Sequence, residues 1–208
     1  WTQEAKTLVW FADSTQAIAA IALTDEIKQT SAQAISQLQE MGVEVYMLTG
    51  DNANSAQAIS RKVGINHYKA GVLPNEKAQF IKELQANGKK VGMVGDGIND
   101  SAALAQANLS IAMGQGSDIA VDTAMATILS SDLLKIPETI RLSQLTIKTI
   151  YQNLFWAFIY NLIGIPIAAG IFYSINGFLL NPMWASAAMV FSSVSVVLNS
   201  LRLKRKRI

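Results

Sequence analysis

Val91-Gly92-Met93-Val94-Gly95-Asp96-Gly97-Ile98-Asn99-Asp100 is an apolar run that ends in two aspartates four residues apart, set among glycines and an asparagine. Asp96 follows the apolar strand directly. Its carboxylate is therefore expected at the carboxyl edge of a sheet, where α/β folds bind ligands. Mg²⁺ takes one or two carboxylates together with phosphate oxygens and water. Asp96 suits that role, and Asp100, one helical turn on, is within reach of the same ion or its waters. Gly97 would let backbone approach a phosphate closely. The plainer alternative is an acidic strand-to-helix turn in which Asp100 only caps a helix.

Working outward, the same alternation recurs. Residues 7–11 and 17–23 read as two short strands around Asp13-Ser14-Thr15. Residues 30–41 are helical in pattern, with Ala34, Ile35, Leu38 and Met41 on one side and Gly42 at the end. Strand 43–48 leads into helix 53–63, which Gly64 closes. Val72-Leu73 continues the alternation before Pro74 and helix 76–86, with Ala78, Ile81 and Leu84 inward. Strand 89–94, helix 100–107, strand 109–113, helix 118–126 and strand 127–129 follow. Strands and helices alternating at this spacing predict an α/β domain built on a doubly wound parallel sheet.

Two further features fall at the same predicted sheet edge. Thr49-Gly50-Asp51-Asn52 ends a different strand. A hydroxyl beside backbone N–H groups at a helix start can hold a phosphoryl oxygen, although a simple turn with Asn52 as N-cap has the same sequence. Lys77, near a helix start after Pro74, could offset phosphate charge, whereas a lone lysine is more often solvated. Hydroxyl, cation and metal carboxylate together are more specific than each alone.

Beyond Lys148 the composition changes. No charged residue occurs between Thr149 and Leu201. A helical lead-in over 133–148 runs without a breaker into 150–173, and a second uncharged stretch covers about 183–201. A bilayer core about 30 Å thick needs about 20 helical residues, so both predict membrane spans, with Pro166 bending the first. Basic residues Arg202 to Arg207 predict that both chain ends are cytoplasmic. Asn161 beside Tyr160 in the first span, and Met189 with Ser193 in the second, are polar or soft groups in an apolar setting. A thioether suits Cu(I) better than Mg²⁺ or Ca²⁺. Packing roles for the serines and lipid contact for Met189 are the plainer alternatives.

The 208 residues are 50% hydrophobic and only 15% charged. Five basic residues in the last seven account for the formal net charge of +2, and the remainder is net acidic, which argues against nucleic acid as a partner. With no cysteine, disulfides and thiolate metal sites are excluded within this sequence. His67 is expected in an exposed polar loop. A first residue other than methionine, Trp1, and the lack of a signal peptide suggest a piece of something longer.

Met47 to Asn52, Pro74 to Lys77, Val94 to Asp100 and Ile111-Ala112-Met113-Gly114 resemble, in order and spacing, the phosphorylation-domain motifs of heavy-metal P-type ATPases of the copper class. Tyr160-Asn161 and Met189-x-x-Ser192-Ser193 resemble that class's motifs in its last two spans. The resemblance covers nearly the whole sequence and implies a haloacid dehalogenase-like fold followed by a two-helix transmembrane hairpin. It implies 1–24 as the end of a nucleotide-binding domain and hinge, 25–132 as the phosphorylation domain, and 133–208 as linker helix, spans and basic tail.

The resemblance further implies catalytic roles for Thr49, Gly50, Asp51, Lys77 and Asn99, Mg²⁺ binding by Asp96 and Asp100, and a Cu⁺ path at Tyr160, Asn161, Met189 and Ser193. ATP would be the substrate, held mainly by parts outside this sequence. Membrane lipid, the N-terminal part of the pump and a copper chaperone would be partners, in a bacterial plasma membrane. The family's Asp-Lys-Thr-Gly-Thr nucleophile segment, its Cys-Pro-Cys membrane site and its Thr-Gly-Glu loop do not occur here. The chain by itself is therefore expected to be inactive. A catalytically dead, membrane-anchored module that regulates a pump or binds Mg²⁺ or phosphate is the alternative.

Overall fold

A computed structural model describes residues 7–23, 26–96, 98–114, 122–177 and 181–205. The chain divides into two units, Trp1–Pro137 and Glu138–Ile208. In the first, β1 (Thr7–Ala12) and β2 (Ala17–Leu23) form an antiparallel ribbon. Its turn is closed by Asp13, whose Oδ1 accepts from the Thr15 hydroxyl at 2.7 Å and from the backbone N–H groups of Thr15 and Gln16.

α1 (Ser31–Glu40), β3 (Tyr46–Leu48), α2 (Ala53–Val63), β4 (His67–Lys69) and α3 (Pro74–Ala86) follow. Then come β5 (Gly92–Gly95), a 3₁₀ turn (Ile98–Asp100), α4 (Ser101–Gln106), β6 (Leu109–Met113) and β7 (Ala126–Ile128). α2 starts where Asn52 Oδ1 accepts the Ser55 N–H at 2.9 Å and ends at Gly64, whose φ of 78° is open to glycine without strain. Pro74 opens α3, and the Glu76 carboxylate reaches back to the Leu73 N–H at 2.8 Å.

β3 pairs with β4, and β5, β6 and β7 pair in order, all in parallel. The expected sheet is thus parallel but lies in two pieces. The reason is that no described strand pairs with the second edge of β3 or of β5. Val72-Leu73 is not a strand. Val72 is buried in a loop, and the pairing with β3 is made by His67, Tyr68 and Lys69. His67 is consequently in β4 rather than a loop, about half exposed and stacked on the Tyr46 ring at 4.9 Å. Of the helix expected over 118–126, residues 118–121 lie outside the described residues, Asp122 and Thr123 are helical, and Ala126 already belongs to β7.

The core is small and aliphatic. Ala34, Ile35 and Leu38 of α1 are buried, as are Ala56 and Val63 of α2, which accounts for the apolar spacing in both helices. Ile81, Ala103 and Ala107 form a buried cluster against Val91 and Met93, which holds α3 and α4 on β5. Two bonds tie the segment before α1 to the chain after β7. Lys28 Nζ donates to the Ser131 carbonyl at 2.8 Å, and the Thr30 hydroxyl donates to Asp132 at 2.7 Å. Thr30 occupies the N-cap position of α1 but makes no capping bond with its side chain, because its hydroxyl is spent on Asp132.

α5 (Lys135–Ala168), all but its first three residues in the second unit, is continuous through Pro166 and gives way to a turn and short α6 (Tyr173–Asn176). α7 (Pro182–Lys204) follows. The first expected span is therefore helical only to Ala168. Among the described residues one helix is long and apolar enough to cross a membrane, Ser186–Lys204. Gln152, Asn153 and Asn161 lower the hydropathy of the earlier stretch, and Gly170, at φ 88°, turns the chain where the helix was expected to continue. α5 and α7 are tied by side chains. Asn153 Nδ2 donates to Ser200 Oγ at 2.9 Å, and Asn199 Nδ2 donates to Asn153 Oδ1 at 2.8 Å and to Gln152 Oε1 at 3.4 Å.

Two outcomes test this packing. Ile81→Ala should destabilise the first unit by about 2–5 kcal/mol in chemical denaturation, since it opens a cavity under α3. Hydrogen bonding from Thr30, with the Leu134 N–H second, holds the Asp132 carboxyl below the ordinary range. A depressed folded-state pKa stabilises above the unfolded value and is lost as pH falls through the folded one. The stability difference between the native chain and Thr30→Val should therefore hold near neutrality and close below about pH 4.

Candidate functional site

β5 delivers Gly95 and Asp96 to its carboxyl end. The 3₁₀ turn then brings Asp100 back toward the strand. An added Cβ on Gly95 would lie 2.7 Å from Asp100 Oδ2 and 2.8 Å from its Cβ, so the Asp100 side chain occupies the space that a larger residue would fill. Only glycine permits that approach. Asp100 stands at the N-cap of α4 yet makes no capping bond. Its Oδ1 instead accepts from Lys77 Nζ at 2.7 Å, with both side chains largely buried, at 13% and 14% exposure. Both plainer alternatives fail here: the Asp100 side chain makes no capping bond, and Lys77 is not a solvated lysine.

A cavity of about 460 Å³ opens beside this pair, lined by Val94, Gly95, Asp96, Asp100, Met113, Gly114, Ser131, Leu133 and Lys28. Asp96 is exposed to it from the strand end, whereas Asp100 is engaged by Lys77. Two carboxylates at one cavity satisfy what Mg²⁺ asks of protein, the rest of its octahedron being water or phosphate oxygen. Among the described residues no group of three or more His, Cys, Asp or Glu comes together, so a denser carboxylate cage of the Ca²⁺ type has no counterpart there.

Thr49 lies at the end of β3 in a tight loop. Its hydroxyl donates to Asp51 Oδ2 at 2.7 Å and accepts the Asp51 N–H at 3.1 Å. The Gly71 N–H donates to the Asp51 carbonyl at 2.7 Å, and the Val72 N–H donates to the Thr49 carbonyl at 3.0 Å. The loop is thus fastened to the residues that lead into Pro74 and Lys77. Gly50 and Asp51 are exposed, and Asn52 does cap α2. The structure joins Lys77 to Asp100 and Asp96 to the same cavity. It ties Thr49 to the start of Lys77's helix, but Thr49 does not line the cavity. Asn99 is exposed on the 3₁₀ turn, and Gly97 lies outside the described residues.

The second residue set lies on α5 and α7. The Asn161 amide nitrogen donates to the Ala157 carbonyl at 2.8 Å, and the Ser193 hydroxyl donates to the Met189 carbonyl at 3.2 Å. In these bonds the hydrogens go to the helix backbone, and neither the Asn161 carbonyl oxygen nor the Met189 sulfur takes part. Asn161, Met189 and Ser193 are exposed, and Tyr160 is half-buried. Sequence reasoning missed Lys28 and Ser131 at the cavity and Asn153, Asn199 and Ser200 between the helices, and it quoted Gly95 and Gly114 within motifs without giving either a role. Gly95 was visible as a glycine closing a strand. Lys28 and Ser131 are more than a hundred residues apart and carry no local signal.

A cavity at the end of a parallel strand, with a carboxylate facing it and a largely buried lysine–aspartate pair behind, is a sheet-edge site of an α/β fold. The family model for haloacid dehalogenase-like hydrolase matches residues 1–108, and the chain belongs to that family. Within it, the whole sequence is similar to metal-transporting P-type ATPases. The probable copper-importing P-type ATPase A of Enterococcus hirae is 55% identical over 208 residues, covering 99% of this chain and 28% of that protein. The silver exporting P-type ATPase of Salmonella typhimurium is 46% identical over 205 residues, covering 99% and 25%. The crystal structure of a zinc-transporting PIB-type ATPase in the E2.Pi state superposes with a TM-score of 0.80 at 33% identity, covering 97% of this chain and 32% of that one. The chain spans about a quarter of the length of the curated relatives it matches.

Removing the lysine strands a largely buried carboxylate. Lys77→Ala should cost about 3 kcal/mol of unfolding free energy, and Gly95→Ala about 1–3 kcal/mol through displacement of Asp100. Once the pair is gone, Gly95→Ala should add little. Additive losses in the double variant, measured in urea, would contradict the shared geometry.

Proposed function

We propose that the chain is part of an ATP-driven transporter of monovalent copper or silver, in which aspartyl-phosphate chemistry is coupled to metal export across a bacterial plasma membrane. The observation that carries this reading is the Lys77–Asp100 pair set beside Asp96 at one cavity. Asp96 is the residue that would hold Mg²⁺, which when bound neutralises phosphoryl oxygens. Asp100 keeps the Lys77 ammonium, a fixed cation, at the edge of the same space. The Thr49 hydroxyl and its loop, with Gly50 and Asp51, would receive the phosphoryl group, and Asn99 would complete that end.

The acceptor aspartate and most of the ATP site would come from residues outside this chain. Supporting this, β3 and β5 each have one edge without a described partner, which a further strand would fill. The exposed apolar groups of the β1–β2 ribbon, among them Trp10, Phe11, Ile18 and Ile21, similarly suit a ribbon that completes a larger nucleotide-binding domain.

The hairpin of α5 and α7 would lie in the membrane with both chain ends cytoplasmic. Phe155, Phe158, Leu162, Ile163, Val190, Phe191, Val197 and Leu198 are exposed on it, a surface that lipid or further helices would cover. Tyr160, Asn161, Met189 and Ser193 would contribute thioether and oxygen ligands to the transported ion, which is cargo and not a resident cofactor. A chaperone delivering Cu⁺ to the whole pump fits the same reading.

Two measurements on the purified 208-residue chain test it. Mg²⁺ titration followed by NMR should show binding that Asp96→Ala abolishes. ATP turnover should be absent, because the nucleophile segment is absent. Turnover that vanishes in Asp96→Ala would overturn the assignment of the nucleophile to residues outside this chain.

A further inference from the structure

α5 and α7 are joined by one cluster of hydrogen-bonded side chains. Half-buried positions at helical spacing include Asn153, Ala157, Tyr160 and Gly164 on α5 and Ser192, Val196, Asn199 and Leu203 on α7; Ile159, Pro166, Ile167, Ala187 and Ser195 are half-buried beside them. The two rows of four form a single seam. Apart from Tyr160 and Leu203 the remaining seam residues are small, Ala157, Gly164, Ser192 and Val196, and small groups do not by themselves fix which turn faces which. The cluster of Gln152, Asn153, Asn199 and Ser200 does. Asn153 donates to Ser200 and accepts from Asn199, whose amide also reaches Gln152. A slip by one residue would move the partners by about 1.5 Å and 100° and break these bonds in a poorly hydrating setting.

The register so fixed has a consequence for the proposed ligands. Counting eight residues along α5 from Asn153 and eight back along α7 from Asn199 places Asn161 level with Phe191, between Met189 and Ser193. Asn161 follows the seam residue Tyr160 by one position, and Ser193 follows the seam residue Ser192 by one. In antiparallel helices equal steps of about 100° lead to the same flank. Asn161, Met189 and Ser193 therefore share one exposed flank at one depth.

We infer that Asn153 and Asn199 are positioning residues whose hydrogen-bonded pairing sets the register of the hairpin and thereby holds the amide oxygen, thioether and hydroxyl of Asn161, Met189 and Ser193 at a common level. This rests on the metal-ligand reading given above. The Asn153–Asn199 pair touches no proposed ligand and acts only through the helices.

The lack of cysteine permits a direct test on the full chain in detergent or lipid vesicles. Ala157→Cys with Val196→Cys should form an iodine-induced crosslink. Adding Asn153→Ala and Asn199→Ala should reduce it and raise the crosslink of the slipped pair Ala157→Cys with Ser192→Cys. In the cysteine-free chain the same alanine changes should weaken Met189-dependent Ag⁺ binding by about 10-fold or more. The exchanged pair Asn153→Ser with Ser200→Asn keeps an amide and a hydroxyl facing each other and should restore both readouts. Should the double-alanine chain fail to fold, Ser200→Ala alone should give the same shift in smaller measure. Crosslinks that do not change in either variant overturn the inference. Crosslinks that shift as expected in a chain that binds no Ag⁺ support the register role and overturn the metal-ligand reading instead.

Discussion

The ion pair between Lys77 and Asp100 is the constraint around which the first unit is arranged. Charges removed this far from water are tolerated only when each finds the other at hydrogen-bonding distance, and loss of either partner leaves an uncompensated charge. The pair therefore fixes α3 relative to the 3₁₀ turn that starts α4. Its demands spread to neighbours. Gly95 must lack a side chain because Asp100 folds over it. The Ile81, Ala103 and Ala107 cluster keeps the two helices close enough for the pair to form. Asp96, four residues before Asp100, is left to face the cavity.

The hairpin obeys the same physics with neutral groups. Amides in a weakly hydrating environment must satisfy one another, and those of Asn153 and Asn199 do so across the helix pair. In both units polar contacts specify the arrangement, while apolar burial supplies most of the driving force. The two sets differ in strength and in what they leave free. The ion pair holds a fixed cation beside a cavity, whereas the amides fasten one region of the hairpin and leave the flank bearing Met189 open.

The helices of the first unit were legible because their signals are local. Ala34, Ile35 and Leu38 repeat at helical spacing, Asn52 caps α2, Pro74 opens α3 and Gly64 ends α2, all by interactions within one turn. Strands were less so. β4 is the three residues His67, Tyr68 and Lys69, only one of them half-buried, and its pairing with β3 depends on a partner 21 residues away. Val72, more apolar, has the composition of a strand but spends its N–H on Thr49. Similarly, the uncharged composition of 150–173 could not show that the helix would stop at Ala168.

What the sequence by itself determined is the class of chemistry and its approximate place: an α/β domain, an acidic strand end at Asp96, and apolar helices after it with soft and amide side chains. Spacing along one strand or one helix suffices for that, because neighbours in sequence are neighbours in space there. Only the tertiary structure decided that Lys77 answers Asp100, that Gly95 is the glycine the site cannot replace, that Lys28 reaches Ser131, and that Asn153 meets Asn199. Each of these joins residues whose proximity is set by packing between elements or by a turn's three-dimensional path, and neither is encoded in any local pattern.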